Sequence, residues 1–235
     1  EGEFQKGKRS GRGTLHSTDG DRYEGEFLDG IRHGKGIDFA ADGGGYDGEY
    51  FEGKRQGKGI FNYADGGRYE GEYFQDKRNG FGIYYYAEGS RYEGEYLEGI
   101  RHGDGMYYFA DGDRYEGQYN NGNMDGIGVF FGADGNRYEG EYKENKQNGQ
   151  GVYYNANGSH YEGQFTNDKF HGKGIFYDTS GLIKYNGIWE NGNYIKSFPS
   201  FPMSVEHFES IVDEIINKSI KSPTSLVRRL SKLNE

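Results

Sequence analysis

The side chains best able to do chemistry here are carboxylates and histidines, and both are placed with unusual regularity. Pairs such as Glu24 and Glu26, or Glu93 and Glu95, have the look of an acid and base set. His33, His102 and His171 invite comparison with metal ligands. Gly43-Gly44-Gly45 and Gly57-Lys58-Gly59 could cradle a phosphate. The chain has no Cys, which removes disulfides, thiolate metal sites and cysteine nucleophiles together. No Ser, His and Asp stand apart as a triad.

What positions these groups is a repeat. Shifted by 23 residues, the sequence aligns with itself without a gap from Glu1 to Gly181. Opening tyrosines fall at Tyr23, Tyr46, Tyr69, Tyr92, Tyr115, Tyr138 and Tyr161, and a one-residue slip moves the last to Tyr185. Each unit begins Tyr-Glu-Gly-Glu-aromatic, as at Tyr69-Glu70-Gly71-Glu72-Tyr73, and this alternation is the period of a half-buried strand. A second segment, such as Gly57-Lys58-Gly59-Ile60-Phe61-Asn62-Tyr63, supplies the partner strand. Three residues beyond each strand's last aromatic stands Gly7, Gly30, Gly53, Gly99, Gly122 or Gly192, replaced only by Asp76, Asn145 and Asp168. That is the substitution pattern of a position with φ > 0. Asp42-Gly43, Asp65-Gly66, Asp111-Gly112 and Asp134-Gly135 mark a second turn, read as tight. One repeat is therefore one hairpin, and short connections on both sides dictate an antiparallel meander.

This frame disposes of the first suspects. A catalytic pair would be singular, whereas the carboxylates recur in nearly every repeat. With Arg22, Arg68, Arg91, Arg114 and Arg137 on the same side, they read as cross-strand ion pairs on a solvated face. At roughly 4.8 Å per strand, histidines three repeats apart stand roughly 29 Å apart, too far to share an ion, and they read as exposed turn residues. The glycine stretches match no P-loop or dinucleotide fingerprint and no helix follows them. The expectation is a chain that is not an enzyme, with no metal and no cofactor.

Composition agrees. There are 43 Gly but only 3 Pro, together with 23 Tyr and 16 Phe, so the chain turns often and still folds. Charged residues reach 28%, and aliphatics are too few for a thick two-layer core. The predicted fold is mainly β: an elongated single-layer antiparallel meander, on the order of 75 Å long at the strand spacing above. Its aromatic face carries Tyr69, Tyr73, Tyr92, Tyr96, Tyr115, Tyr119, Tyr138 and Tyr142 as the expected partner-binding residues, with Tyr85, Tyr108, Phe131 and Tyr154 from second strands beside them. A single layer leaves such a face open to a partner.

The pattern Tyr-Glu-Gly-Glu-Phe/Tyr-x-x-Gly-x-x-x-Gly-x-Gly with a downstream Asp-Gly resembles the MORN (membrane occupation and recognition nexus) repeat over about residues 1–194. The resemblance implies a curved sheet with an aromatic-lined groove. It also implies the roles of that family: cytoskeletal and ciliary or axonemal scaffolds, membrane-junction proteins, and accessory modules of lipid kinases and methyltransferases.

The organisation expected is an array over 1–194 of eight repeats and a partial ninth, an extended linker over 195–203 around Phe198-Pro199-Ser200-Phe201-Pro202, and a helical tail over 204–235. In the tail, Phe208, Val212, Ile215 and Ile216 recur at helical spacing, and Leu226 and Leu230 follow after Ser222-Pro223; these form the expected interaction stripe. The tail would cap the array or dock in an aromatic groove, its own or that of a second subunit. No apolar run spans a bilayer and no signal peptide opens the chain, so it reads as cytoplasmic. Glu1 lies mid-motif without a Met, which reads as a fragment that further repeats precede. The functional expectation is a non-catalytic scaffold that binds a helix or peptide of a protein partner in a cytoskeletal or axonemal assembly. The alternatives are a phosphoinositide or membrane adaptor, disfavoured by a net charge of −10, and the non-catalytic module of a larger enzyme. Nucleic acid is not an expected partner.

Overall fold

The computed structural model describes residues 1–198, and the expected tail residues Phe208, Val212, Ile215, Ile216, Leu226 and Leu230 lie outside the described residues. The chain is mainly β. Its strands are β1 (Gly2–Gln5), β2 (Lys8–His16), β3 (Arg22–Leu28), β4 (Ile31–Phe39), β5 (Gly45–Phe51), β6 (Lys54–Asn62), β7 (Arg68–Phe74), β8 (Lys77–Tyr85) and β9 (Arg91–Leu97). They continue as β10 (Ile100–Tyr108), β11 (Arg114–Asn120), β12 (Asn123–Phe131), β13 (Arg137–Lys143), β14 (Lys146–Tyr154), β15 (His160–Thr166), β16 (Lys169–Tyr177), β17 (Ile183–Glu190) and β18 (Asn193–Ser197). Two compact units divide the chain, residues 1–100 and the stretch from Arg101 onward. Within each, every strand pairs antiparallel with its neighbour in chain order. β18 carries the pairing to Ser197, into the segment read as linker. Among the described residues there is no helix long and apolar enough to cross a membrane.

The period follows from the lengths of the parts. β7 has 7 residues, β8 has 9, and the connections are Gln75-Asp76 and residues 86–90. In the first connection both residues take positive φ, as at Asp29 (51°) and Gly30 (87°) or Gln75 (49°) and Asp76 (67°). This is the two-residue turn whose twist suits a hairpin. The second connection is longer than the Asp-Gly pair suggests, because the Asp side chain folds back onto the backbone. Asp65 Oδ1 accepts the Gly67 amide at 2.8 Å, and Tyr63 and Gly67 close the loop with a 2.8 Å backbone bond.

Each hairpin is also bulged. Tyr73 pairs with Arg78, yet Gly71 pairs with Gly82, so Asn79, Gly80 and Phe81 all stand opposite Glu72. The first glycine of the Gly-x-Gly motif supplies the positive φ this needs, +79° at Gly80. The second lies beneath the opening tyrosine. A Cβ on Gly82 would stand 2.2 Å from the Tyr69 hydroxyl and 2.5 Å from its ring. Glycine is required there so that the ring can lie flat on the backbone.

Candidate functional site

The tyrosine face is built from that ring upward. Tyr23, Tyr46, Tyr69, Tyr92, Tyr115, Tyr138 and Tyr161 are fully buried or nearly so, and each hydroxyl donates to the carbonyl three residues on. The acceptors, such as Glu72 O at 3.1 Å from Tyr69, sit opposite the bulge, where the ladder is interrupted. Tyrosine therefore closes a backbone vacancy that Phe would leave open. Burial raises the hydroxyl pKa of Tyr23, Tyr46, Tyr69, Tyr115, Tyr138 and Tyr161, to about 12 at Tyr23, where Arg32 works against the shift and Asp38 with it.

The second aromatic of most repeats meets two of these rings edge to face. Tyr73 lies 5.3 Å from Tyr69 and 5.1 Å from Tyr46, and Tyr96 lies 5.3 Å from both Tyr92 and Tyr69. In the second unit the series runs through Tyr119, Tyr115, Tyr142, Tyr138 and Phe165 at 4.8–5.4 Å. These quadrupole-matched contacts join one hairpin to the next. They also correct the sequence expectation. Tyr69, Tyr73, Tyr92, Tyr96, Tyr115, Tyr119, Tyr138 and Tyr142 are none of them more than 5% exposed, so their side chains are closed to a partner. In this sheet these rings make up most of the buried apolar core.

What lies open on the same face is a second row. Register places Phe61 and Tyr84 opposite Tyr69, Phe130 and Tyr107 opposite Tyr115, and Tyr153 opposite Tyr138. All are half-buried. Arg55, Arg78 and Arg101 hold guanidinium groups 5.2–5.4 Å from the ring centroids of Phe61, Tyr84 and Tyr107. Sequence reasoning missed this row and named Tyr85, Tyr108, Phe131 and Tyr154 in its place. Those residues pair with Arg68, Arg114 and Arg137 on the opposite face.

The carboxylates serve the backbone and their own strand. The second of each pair caps the bulge: Glu72 Oε1 accepts the Phe81 amide at 3.3 Å, and Glu141 Oε1 accepts the Gln150 amide at 2.8 Å. Gln118 and Gln164 do the same at 2.8 and 2.9 Å, so the negative charge is dispensable in this role. The first pairs with the Arg two residues earlier, as in Arg91–Glu93 at 2.7 Å and Arg137–Glu139 at 3.1 Å. These contacts run along one strand, not across strands as expected. Glu93 and Glu139 are buried, so the face is not uniformly solvated either. The histidines are likewise not turn residues: His33, His102 and His171 lie within β4, β10 and β16 and are half-buried. Among the described residues no three or more His, Asp or Glu group as metal ligands would.

Comparison with known proteins rests on this geometry. The MORN repeat matches at residues 1–22, 23–37, 46–68, 69–91, 92–114, 115–137, 138–160 and 161–183. No curated protein matches. Among solved structures, the chain is similar to the TCP domain of SAS-4 from Drosophila melanogaster in complex with a proline-rich motif of Ana2. Identity there is 17%, covering 74% of this chain and 88% of that one, with a TM-score of 0.37. The TCP10 domain of Danio rerio CPAP in complex with a STIL peptide is 11% identical over 75% of this chain and 93% of that one, with a TM-score of 0.32. Eight family matches in succession, full repeats except for the shorter one at 23–37, place the chain in the MORN repeat family.

Proposed function

We propose that the protein is a non-catalytic scaffold that binds a helix or extended peptide of a protein partner on its tyrosine face. The observation that carries this reading is the two-tier construction of that face. Buried tyrosines hold the sheet, and a half-buried row of rings, Phe61, Tyr84, Tyr107, Phe130 and Tyr153, recurs once per hairpin above them. Half-exposed aromatics with guanidinium groups beside them are the composition of a protein interface. The chemistry-bearing carboxylates are engaged by bulges and arginines, which supports a structural role for them. The family resemblance directs the search for the partner to cytoskeletal and ciliary assemblies.

The test is site-specific photo-cross-linking in the source cell. A benzophenone side chain at Tyr84, Tyr107 or Tyr153 is expected to give discrete protein adducts, and one at Tyr85, Tyr108 or Tyr154 on the opposite face is not. Adducts mainly from the second set would move the site to the carboxylate face.

A further inference from the structure

The row of rings on the tyrosine face is closed by aromatic fillers in three successive repeats, at Tyr63, Tyr86 and Phe109. Tyr63 leans on Phe61 at 4.5 Å and on Tyr84 at 5.4 Å, and Tyr86 leans on Tyr84 at 4.4 Å. In the second unit Phe109 bridges Tyr107 at 4.5 Å and Phe130 at 6.0 Å. The next residue in this register is Gly132, so nothing of the kind stands between Phe130 and Tyr153. A second filler is missing at the same place. Where earlier hairpins set Arg55, Arg78 and Arg101 over the row, β12 and β14 carry Met124 and Gln147. The result is a hollow of about 360 Å³ walled by Phe130, Tyr138 and Tyr153 and rimmed by Asp111, Asp113 and Asp134. Arg137 also borders it, but that cation pairs with Glu139 at 3.1 Å and lies 4.3 Å from the Tyr154 ring.

We propose that this hollow receives one arginine side chain from the protein partner, which rests on the scaffold reading and specifies what one site on that face takes. The other hairpins supply the chemical precedent, because a guanidinium over this row is what Arg55, Arg78 and Arg101 provide from within. A planar cation stacks on the rings. Three carboxylates on the rim select a cation over the neutral aromatic that Gly132 omits. Asp113 and Asp134 also accept the amides of Ala133 and Asn136 at 2.9 Å, and those bonds fix where the carboxylates stand.

The experiment titrates the full chain, with ring-labelled Phe and Tyr, with the peptide acetyl-Gly-Ser-Arg-Ser-Gly-amide and follows the rings by NMR. Saturable shifts of Phe130 and Tyr153 are expected. The citrulline peptide, equally planar and uncharged, is expected to bind about fivefold more weakly or worse. Gly132→Tyr and Gln147→Arg fill the hollow from within, and each is expected to abolish the shifts. Gly132→Tyr displaces the Asp134 carboxylate end, 2.5 Å from the new Cβ, and crowds the Asn136 carbonyl at 3.3 Å, while Tyr63 beside Asp65 shows that the two side chains coexist. Gln147→Arg reads the same site should the first variant fold poorly. Absent shifts, equal binding of the citrulline or a lysine peptide, or binding untouched by both variants overturns the arginine site. Binding seen only after Arg228 and Arg229 are changed to Ala overturns the assignment to a partner and gives the hollow to this chain's own tail. The titration needs no partner. A null result beside intact cross-links therefore removes this site alone, whereas missing cross-links remove the scaffold reading and with it the assignment of the arginine to a protein partner.

Discussion

Replacing Tyr69 with Phe keeps the ring over Gly82 and removes only its hydrogen bond to the Glu72 carbonyl. That buried acceptor is then unsatisfied, so a loss of about 1–2 kcal/mol in urea unfolding is expected; Tyr73→Phe, whose hydroxyl has no partner, is expected to cost less. An unchanged midpoint in Tyr69→Phe would mean that the hydroxyl does not support the bulge. The same burial sets the alkaline limit of the fold. A tyrosine whose folded pKa lies above its ordinary value of 10.0 contributes stability that is fully present below pH 10 and lost as pH rises through the folded pKa. For Tyr23 that window runs from 10.0 to about 12, and Tyr46, Tyr69, Tyr115 and Tyr138 shift in the same direction, each chiefly through desolvation. The expected outcome is that tyrosinate absorbance and loss of β circular dichroism rise together above pH 10. Tyrosinate forming near pH 10 with the β signal intact would contradict the burial.

At the scale of the hairpin, two glycines of neighbouring repeats answer differently to substitution. Gly99, at φ +88° with open space around it, is expected to accept Asn within a few tenths of a kcal/mol, as Asn145 does at the equivalent turn, whereas Gly99→Val is expected to cost about 1–2 kcal/mol or more in thermal unfolding. Gly82→Ala drives a methyl group into the Tyr69 ring and is expected to be the most damaging of the three, at about 2–4 kcal/mol. The strands, the period and the αL turn position were all legible in the sequence, because Gly, Asn and Asp report φ > 0 and alternation reports the pleat. What was not legible traces to residues with no chemical signature. Lys6, Glu52, Gln75, Glu98 and Glu144 also take positive φ, yet nothing in their type announces it. Without that second turn residue the turn length is unknown, and the turn length decides which face the partner strand shows. Tyr85 was thus assigned to the wrong side, and Tyr84 was overlooked. The burial of the eight named tyrosines was hidden for another reason: alternation tells which face a residue shares, not whether its neighbours close over it.

At the scale of the whole chain, stability in an array is a sum over repeats and their contacts. Deleting 69–91, one complete match to the family pattern, joins Arg68 to Tyr92 as Arg91 is joined now. The deletion variant is expected to keep its β circular dichroism and to unfold in urea with a smaller m-value. Deleting 69–79 removes one strand direction without its return and is expected to yield insoluble protein; a soluble, cooperative fold would argue against the meander. The turns give the array a polarity as well. Gly53 N donates to Arg32 O at 2.9 Å, Asp76 N to Arg55 O at 3.1 Å, Gly99 N to Arg78 O at 2.8 Å and Gly122 N to Arg101 O at 2.9 Å, so every tip fastens onto the hairpin before it. A ribosome releases the earlier hairpin first. That hairpin waits with its carbonyl unclaimed until the next tip has emerged, and the protein matures one repeat behind its own synthesis. A chain stalled in mid-repeat would present one unlatched hairpin to the cell's chaperones, always the most recent one.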